Sequence, residues 1–332
     1  MPRPQKILAI TGGVGGAKLA LGLSKILNSE QLMFAVNVGD DFTHLGLHIS
    51  PDIDSLTYAL AEENNQELGW GRAGETWQLR DNQELGWGRA GETWQFIDTL
   101  GSLGGEDWFR LGDKDMALHT RRSQLLGQGT SLTDATAEIT RRMGIEHTVA
   151  PVSDDPIRTV VQSDLGELAF QHYFVRERCA PAVSGFRFDG MQDAILNPAI
   201  TGWLAECDGI IICPSNPFVS VAPVIEVPGF LEAAEHIPTI AVSPIVAGTA
   251  IKGPAAKMMQ ELSIPATAVA VAEHYQHHYP GLLDGFVIDE TDSERLDAIT
   301  MPAVATQSVM KSLDDRIALA ERCLAFFDEL PA

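Results

Sequence analysis

The sequence predicts an α/β protein, a Rossmann-like and mostly parallel sheet flanked by helices, with a small inserted α+β portion. Three observations carry that expectation. Residues 6–11 (KILAIT) form a short apolar strand pattern that runs through the glycine-rich turn Gly12–Gly16 into a helical stretch, Ala17–Leu27, with Leu19, Leu23, Ile26 and Leu27 on one face. Similar apolar, partly β-branched runs recur at Leu32–Val38 (LMFAVNV), Gly209–Cys213 (GIIIC) and Ile237–Val242. Each ends in a polar turn, as buried parallel strands do. Between Gly127 and Asp193 the character changes, and TVAPVSDDPIRTVV and ELAFQHYFV alternate across SDLG like a hairpin. The expected division is therefore a core over residues 1–126 and 194–332 and an inserted sub-domain over 127–193.

The first turn is a candidate anion site, because glycines feeding a helix leave free N–H groups aligned with the helix dipole. Two familiar phosphate loops do not fit it. A GxGxxG pattern would need glycine where Lys18 stands, and a P-loop would need Gly-Lys-Ser/Thr where the chain has Ala17, Lys18 and Leu19. The stretch that organises the rest is Gly39–Asp54, which follows the second strand and packs Asp40, Asp41, Asp52 and Asp54 together with His44 and His48. Strand ends of this kind open into the crevice where α/β sheets bind ligands. Singly, these aspartates read as turn formers, and Asp54 as the cap or first-turn acid of the helix SLTYALA. Four crowded carboxylates need a cation or donors to offset their repulsion.

Residues 65–78 and 82–95 carry the same fourteen letters, NQELGWGRAGETWQ. Two such copies are too few for a solenoid. One copy is expected to be dispensable and the other to hold the functional position, with Trp70 and Arg72 or Trp87 and Arg89. The second copy is favoured, because it runs unbroken into FIDTLGSLGGEDWFRLGDKD. Beyond it come a second acidic pair, Asp113 and Asp115, and a helix carrying His119, Arg121 and Arg122, read either as an anion contact or as a solvated face. In the insert, Ser131–Met143 reads as a helix, and Arg158, Arg176, Arg178 and Arg187 make this the least acidic region. The strand GIIIC then enters PSNPFVS, where Ser215, Asn216 and Ser220 offer neutral donors and acceptors. After Val242, the turn SPIVAGTAIKGPAAKMM places Ser243, Gly248, Lys252 and Gly253 ahead of another helix, repeating the logic of the first anion site. Residues 266–270 and 286–288 read as the last strands and Leu313–Leu330 as an amphipathic closing helix.

At 332 residues, 45 % of them hydrophobic, the chain can bury a large core. Its formal net charge of −22 argues against nucleic acid or an anionic membrane surface as partner. It permits a phosphorylated small molecule where local donors or a divalent cation reverse the field. Cys179, Cys207, Cys213 and Cys323 lack zinc or disulfide spacing, which fits a reduced cytoplasm. Neither a membrane span nor the apolar core of a signal peptide is expected.

Seven motifs in order, TGGVGGAKL, NVGDDFTHLGLHISPDIDSLTYAL, GWGRAGETW, WFRLGDKDMALH, SDDPIRT, SNPFVSVAPVI and SPIVAGTAIKGPAAKMM, resemble the CofD or FbiA family, the phospholactate or phosphoenolpyruvate transferases of deazaflavin coenzyme F-420 synthesis. The chain departs from the family in carrying GWGRAGETW twice and in Val152, where a methionine is common. The resemblance implies a Rossmann-like homodimer. It would join lactyl-2-diphospho-5'-guanosine, or its enolpyruvyl or glyceryl counterpart, to the ribityl hydroxyl of the deazaflavin Fo, releasing GMP and requiring Mg2+. It also implies that Asp54 and Arg110 contact the deazaflavin, with Asp54 near the attacking hydroxyl as base, and Asp52 is the second catalytic candidate from the aspartate stretch itself.

Transfer to a diphosphate needs its oxygens neutralised and its nucleophile positioned, which clustered aspartates and a cation supply. Magnesium takes one or two carboxylates among Asp40, Asp41 and Asp52. The guanylate end is expected at Gly12, Gly13, Gly15 and Lys18 with Ser215, Asn216 and Lys252, and Trp87 and Arg89 belong to the same substrate site. Two rivals stand beside this reading. A nicotinamide dehydrogenase would need the missing third glycine of the first turn. A non-catalytic, nucleotide-sugar-binding regulator of the related gluconeogenesis-factor type would not be expected to carry SPDID, GWGR and LGDKD together.

Overall fold

Strand β1 (Ile7–Thr11) is buried at all five residues, which requires a central strand covered by helices on both faces. It leads into α1 (Gly13–Ile26), then β2 (Leu32–Val36), also buried throughout, and a two-stranded hairpin of β3 (Phe42–His44) and β4 (Leu47–Ile49). In the hairpin turn Leu45 and Gly46 both have positive φ, the geometry that matches strand twist. Helix α2 (Pro51–Leu60) follows at once. The computed structural model describes residues 3–63, 93–250 and 253–331. It resumes with α3 (Gln95–Ser102), α4 (Asp113–Gly127), α5 (Leu132–Arg142) and strand β5 (Thr148–Pro151). Strands β6 (Arg158–Ser163), β7 (Gly166–Ala169) and β8 (Val183–Asp189) form a separate three-stranded antiparallel sheet in the order β7-β6-β8. The chain continues through α6 (Pro198–Leu204), β9 (Gly209–Ile212), α7 (Ala222–Ile225), α8 (Phe230–Ala234) and β10 (Thr239–Val242). A small hairpin, β11 (Ile245–Val246) and β12 (Thr249–Ala250), precedes α9 (Ala255–Glu261) and α10 (Ala268–His278). Strands β13 (Gly285–Asp289) and β14 (Ala303–Thr306) and helix α11 (Leu313–Phe326) complete it.

The main sheet has seven strands in the order β14-β13-β10-β9-β1-β2-β5, and every neighbouring pair is parallel. From β1 the chain first builds outward through β2 to β5, then returns to β9 beside β1 and builds the other way. The order reverses between β1 and β9, so a crevice opens at their carboxyl ends.

The hairpin across SDLG is present as β6 and β7, with Gly166 at positive φ closing it. The antiparallel sheet begins later than residue 127, since β5 pairs with β2 and belongs to the main sheet. Residues 266–270 are not a strand. Thr267 accepts a hydrogen bond from the Ala270 N–H at 3.1 Å and starts α10, so a helix cap outweighs the strand-like look of ATAVA. The edge strand is β14 instead, which the sequence reading missed. The expected turn Gly12–Gly16 is largely the first turn of α1. Glycine is needed there because a Cβ on Gly15 would lie 2.6 Å from the Pro214 carbonyl oxygen. All four cysteines are buried and free. No described helix is long and apolar enough to cross a membrane.

Candidate active site

The crevice between β1 and β9 is a cleft with about 1160 Å3 of empty space, its open mouth included. One end is polar. The α1 N-terminus (Gly12, Gly13, Gly15) and Lys18 line it with Ser215 and Asn216 from the loop after β9 and with Asp40 and Asp52, the latter against the Gly13 N–H. The other end is apolar, walled by Phe109, Phe170 and Phe174.

Hydrogen bonds lock the polar end. Asp52 accepts from the Gly13 N–H at 2.7 Å and from the Asn37 amide at 2.9 Å. Asn37 also donates to the Val219 carbonyl at 3.2 Å and accepts from the Gly39 N–H at 2.7 Å. This one buried amide therefore ties the β2 turn to α2 and to the segment after β9. Ser215 accepts from the Gly12 N–H at 3.3 Å, and Asn216 caps the turn it begins by accepting from the Phe218 N–H at 2.9 Å. Lys18, the one basic residue among the described lining residues, donates to the Met310 carbonyl at 3.4 Å. The loop that presents Met310 is held by Asp289, which accepts from the Ser308 N–H at 2.8 Å and its hydroxyl at 2.9 Å.

The two cleft carboxylates are held in discomfort. Burial, and then the charge of Asp52, push Asp40 well above the usual aspartate range, although Asn37 and Thr159 pull it partly back. Burial raises Asp52 to about 6 against the hydrogen bonds from Asn37 and Gly13. Asp40 Oδ1 is buried without a hydrogen-bond partner among the described residues. Two close carboxylates, one with an orphaned oxygen, fit a hard divalent cation, and two is the usual protein share of a magnesium shell. Among the described residues no group of three or more His, Cys, Asp or Glu side chains forms a closed metal cage.

The other expected site residues fall elsewhere. Asp41 does not line the cleft, because it accepts from the Ser50 hydroxyl at 2.8 Å and meets His48 Nε2 at 2.9 Å, fastening the β3–β4 hairpin to the start of α2. Asp54 is in the first turn of α2, as one sequence reading had it, but its side chain is fully buried and does not line the cleft. It pairs through both oxygens with Arg122 of α4, with a second contact at 3.2 Å, and lies 3.5 Å from His119 Nδ1. Neither a free base nor a cap describes it. Arg122 is neither an anion contact nor on a solvated face, being 1 % exposed. Burial lowers His119 to about 4, so its imidazole is neutral and Nδ1 can accept from Arg122 at 3.5 Å. Arg110 is not among the lining residues. It donates to Asp98 at 2.7 Å and lies 5.2 Å from the Trp94 ring, while its neighbour Phe109 faces the cleft. Lys252, Trp87 and Arg89, with Trp70 and Arg72, lie outside the described residues.

Sequence reasoning passed over Asn37 and Gln171. Each had a signal, a lone amide inside an apolar or aromatic run, LMFAVNV and AFQHYFV. Such a residue must find a partner or face a ligand.

Comparison with known proteins agrees with this architecture. The family described as 2-phospho-L-lactate transferase CofD matches residues 7–319. A 2-phospho-L-lactate transferase of Methanosarcina acetivorans is 33 % identical over 97 % of this chain and 99 % of its own length. A phosphoenolpyruvate transferase of Streptomyces avermitilis is 35 % identical over 98 % of this chain and 99 % of its own. A solved structure of a UPF0052 family protein from Bacillus halodurans superposes with a TM-score of 0.61 over 96 % of this chain and 99 % of that one, at 15 % identity, which is a likeness of fold alone. With its seven motifs, its parallel sheet and its family match in register over nearly the whole length, the chain belongs to the CofD family.

Proposed function

We propose that this protein transfers a phospho-acid from a guanylated donor, lactyl-2-diphospho-5'-guanosine or its enolpyruvyl or glyceryl counterpart, to the ribityl hydroxyl of the deazaflavin Fo. The products are GMP and coenzyme F-420-0 or its dehydro form. The family membership supports the reaction class, and the single observation that carries the assignment of parts is the two-ended cleft. Its polar end offers the α1 N-terminus and Lys18 to a diphosphate, and its aromatic end offers walls for a flat heterocycle. Asp40 and Asp52 line the same cleft beside the α1 N-terminus, and this reading brings the donor's phosphorus and the acceptor's hydroxyl together there.

In this reading Asp40 and Asp52 hold Mg2+, which when bound neutralises charge on the diphosphate oxygens. The new bond joins the hydroxyl oxygen to the phosphorus bearing the acid. The bond broken is that phosphorus to the bridging oxygen, whose electron pair leaves with GMP. The hydroxyl proton passes to a carboxylate oxygen of Asp40 or Asp52 that the cation leaves uncoordinated. Lys18 and the N–H groups of α1 stabilise the departing phosphate. Asp41 serves by holding the hairpin against α2. A homodimer acting in the cytoplasm belongs to the same proposal.

The test is incubation with Fo, magnesium and each guanylated acid, followed by product mass and GMP release. A phosphodiester of Fo with at least one donor is the expected result. Binding of the guanylated donor without any product would instead favour a nucleotide-binding regulator.

A further inference from the structure

The aromatic end of the cleft holds a polar side chain that the reaction above leaves without a task. Gln171 stands where β7 runs into the turn formed by residues 172–176. It lines the cleft and is 5 % exposed. It does not cap the turn that follows it, and its amide is not among the fully enclosed side-chain atoms that lack a partner, so its polar atoms open onto the cleft. An amide that opens onto a cleft among aromatic rings is placed to pair with a ligand group, because a ligand that covered it without pairing would strip its water uncompensated.

Its surroundings say what kind. Phe170 and Phe174 stack with their ring centroids 5.4 Å apart, and Phe109 faces the same space. The wall is thus apolar on both sides of one donor and one acceptor. A carboxylate or phosphate would find its cation and helix N-terminus at the opposite end of the cleft. The turn is also fixed at its far side, where Arg178 and Cys179 both have positive φ, a conformation that persists in non-glycine residues only when packing holds it.

We propose that Gln171 is a specificity-determining residue that reads the imide edge of a flat heterocyclic acceptor. Its amide N–H donates to a ring carbonyl while its carbonyl accepts from the adjacent ring N–H. The phenylalanines supply the faces and Gln171 the one in-plane mark that orients the ring, so that its side chain of hydroxyls runs toward Asp40 and Asp52. The inference rests on the proposed transfer to a deazaflavin, whose pyrimidine-dione end presents such an edge.

The experiment compares the full-length protein with Gln171→Met, which keeps length and removes both polar atoms, using Gln171→Leu if the first variant does not fold. The readouts are kcat and KM for Fo and for the donor, binding of Fo followed by its own fluorescence, and the same constants for an analogue methylated on the imide nitrogen. We expect kcat/KM for Fo to fall about 10- to 100-fold, through the KM for Fo, with the donor KM unchanged. The methylated analogue should be no worse a substrate of the variant than of the wild type, so discrimination shrinks by the same factor. Turnover with discrimination retained, or a loss carried by the donor KM, overturns the inference and leaves the transfer standing. Weaker Fo binding by the variant, in a protein that turns over no donor, upholds Gln171 and overturns the transfer.

Discussion

Asp52 and Asp54 stand two residues apart in the first turn of α2, and the protein treats them oppositely. Asp52 faces the cleft and is met by neutral donors alone, the Gly13 N–H and the Asn37 amide, with its pKa lifted to about 6. Asp54 faces inward, has no access to solvent, and is met by the full charge of Arg122. Helical geometry explains the split, because residues two apart project roughly 200° from each other around the axis. The front carboxylate carries uncompensated charge that a ligand can use. The back carboxylate is neutralised from within and fixes α2 to α4.

The largest effect should come from breaking the back side. Replacing Arg122 by Met leaves Asp54 buried without a countercharge, which destabilises by about 3–5 kcal/mol, whereas Arg122→Met with Asp54→Asn should recover most of that loss. Denaturant unfolding of the three proteins measures this. A single variant within about 1 kcal/mol of the wild type would show that water or rearrangement compensates Asp54, and the two carboxylates would not differ as described.

The front side should answer in activity instead. Asp52→Asn removes charge where donor and acceptor meet, and kcat/KM should fall about 100- to 1000-fold while the unfolding midpoint does not drop, since the lost charge is one that burial opposes. Asp54→Asn should do the reverse, losing stability first and activity only as the turn loosens. Loss of less than tenfold in Asp52→Asn would reduce that residue to a clamp on Gly13, and a larger activity loss in a fully folded Asp54→Asn would restore Asp54 as the reacting base.

The fold was legible where chemistry is local. Runs such as LMFAV and GIII announce buried strands, and glycines ahead of AKLALGL announce a strand-to-helix connection. ATAVA misled because its small, β-branched residues outweigh the single Thr267 cap in a sequence reading, and β14 escaped because four partly buried residues beside a proline carry little signal. Asp40, the glycine turn, Ser215 and Asn216 could be picked out because each follows the end of a strand, and Asp52 and Lys18 because each lies in the opening turns of the helix that comes next. The Asp54–Arg122 pair could not, since its partners are 68 residues apart and α4 is otherwise a polar helix with no mark of a buried arginine. Arg110 reaches Asp98 for the same reason, a tertiary choice among several acidic neighbours that no spacing encodes.

The smallest expected effect again separates the two faces, this time through pH. His119 lies behind Asp54 with its folded pKa lowered by burial from 6.5 to about 4. Above pH 6.5 both folded and unfolded chains carry it neutral, and it gives no pH dependence. As pH falls below 6.5 the unfolded chain takes up the proton first, so the folded state loses stability through this group until the pH approaches 4, where the folded form protonates as well. The loss between pH 6.5 and 5 should be about 1–2 kcal/mol. His119→Gln keeps a hydrogen-bond acceptor for Arg122 and removes the titration, so the stability of wild type minus variant, measured by denaturant between pH 5 and 7.5, should slope downward toward acid with close to one proton taken up on unfolding. A flat difference curve would mean that folding leaves the His119 pKa where it is in the unfolded chain, and a curve that rises toward acid would mean a charged His119 beside Asp54, with two cations on one carboxylate instead of a single matched pair.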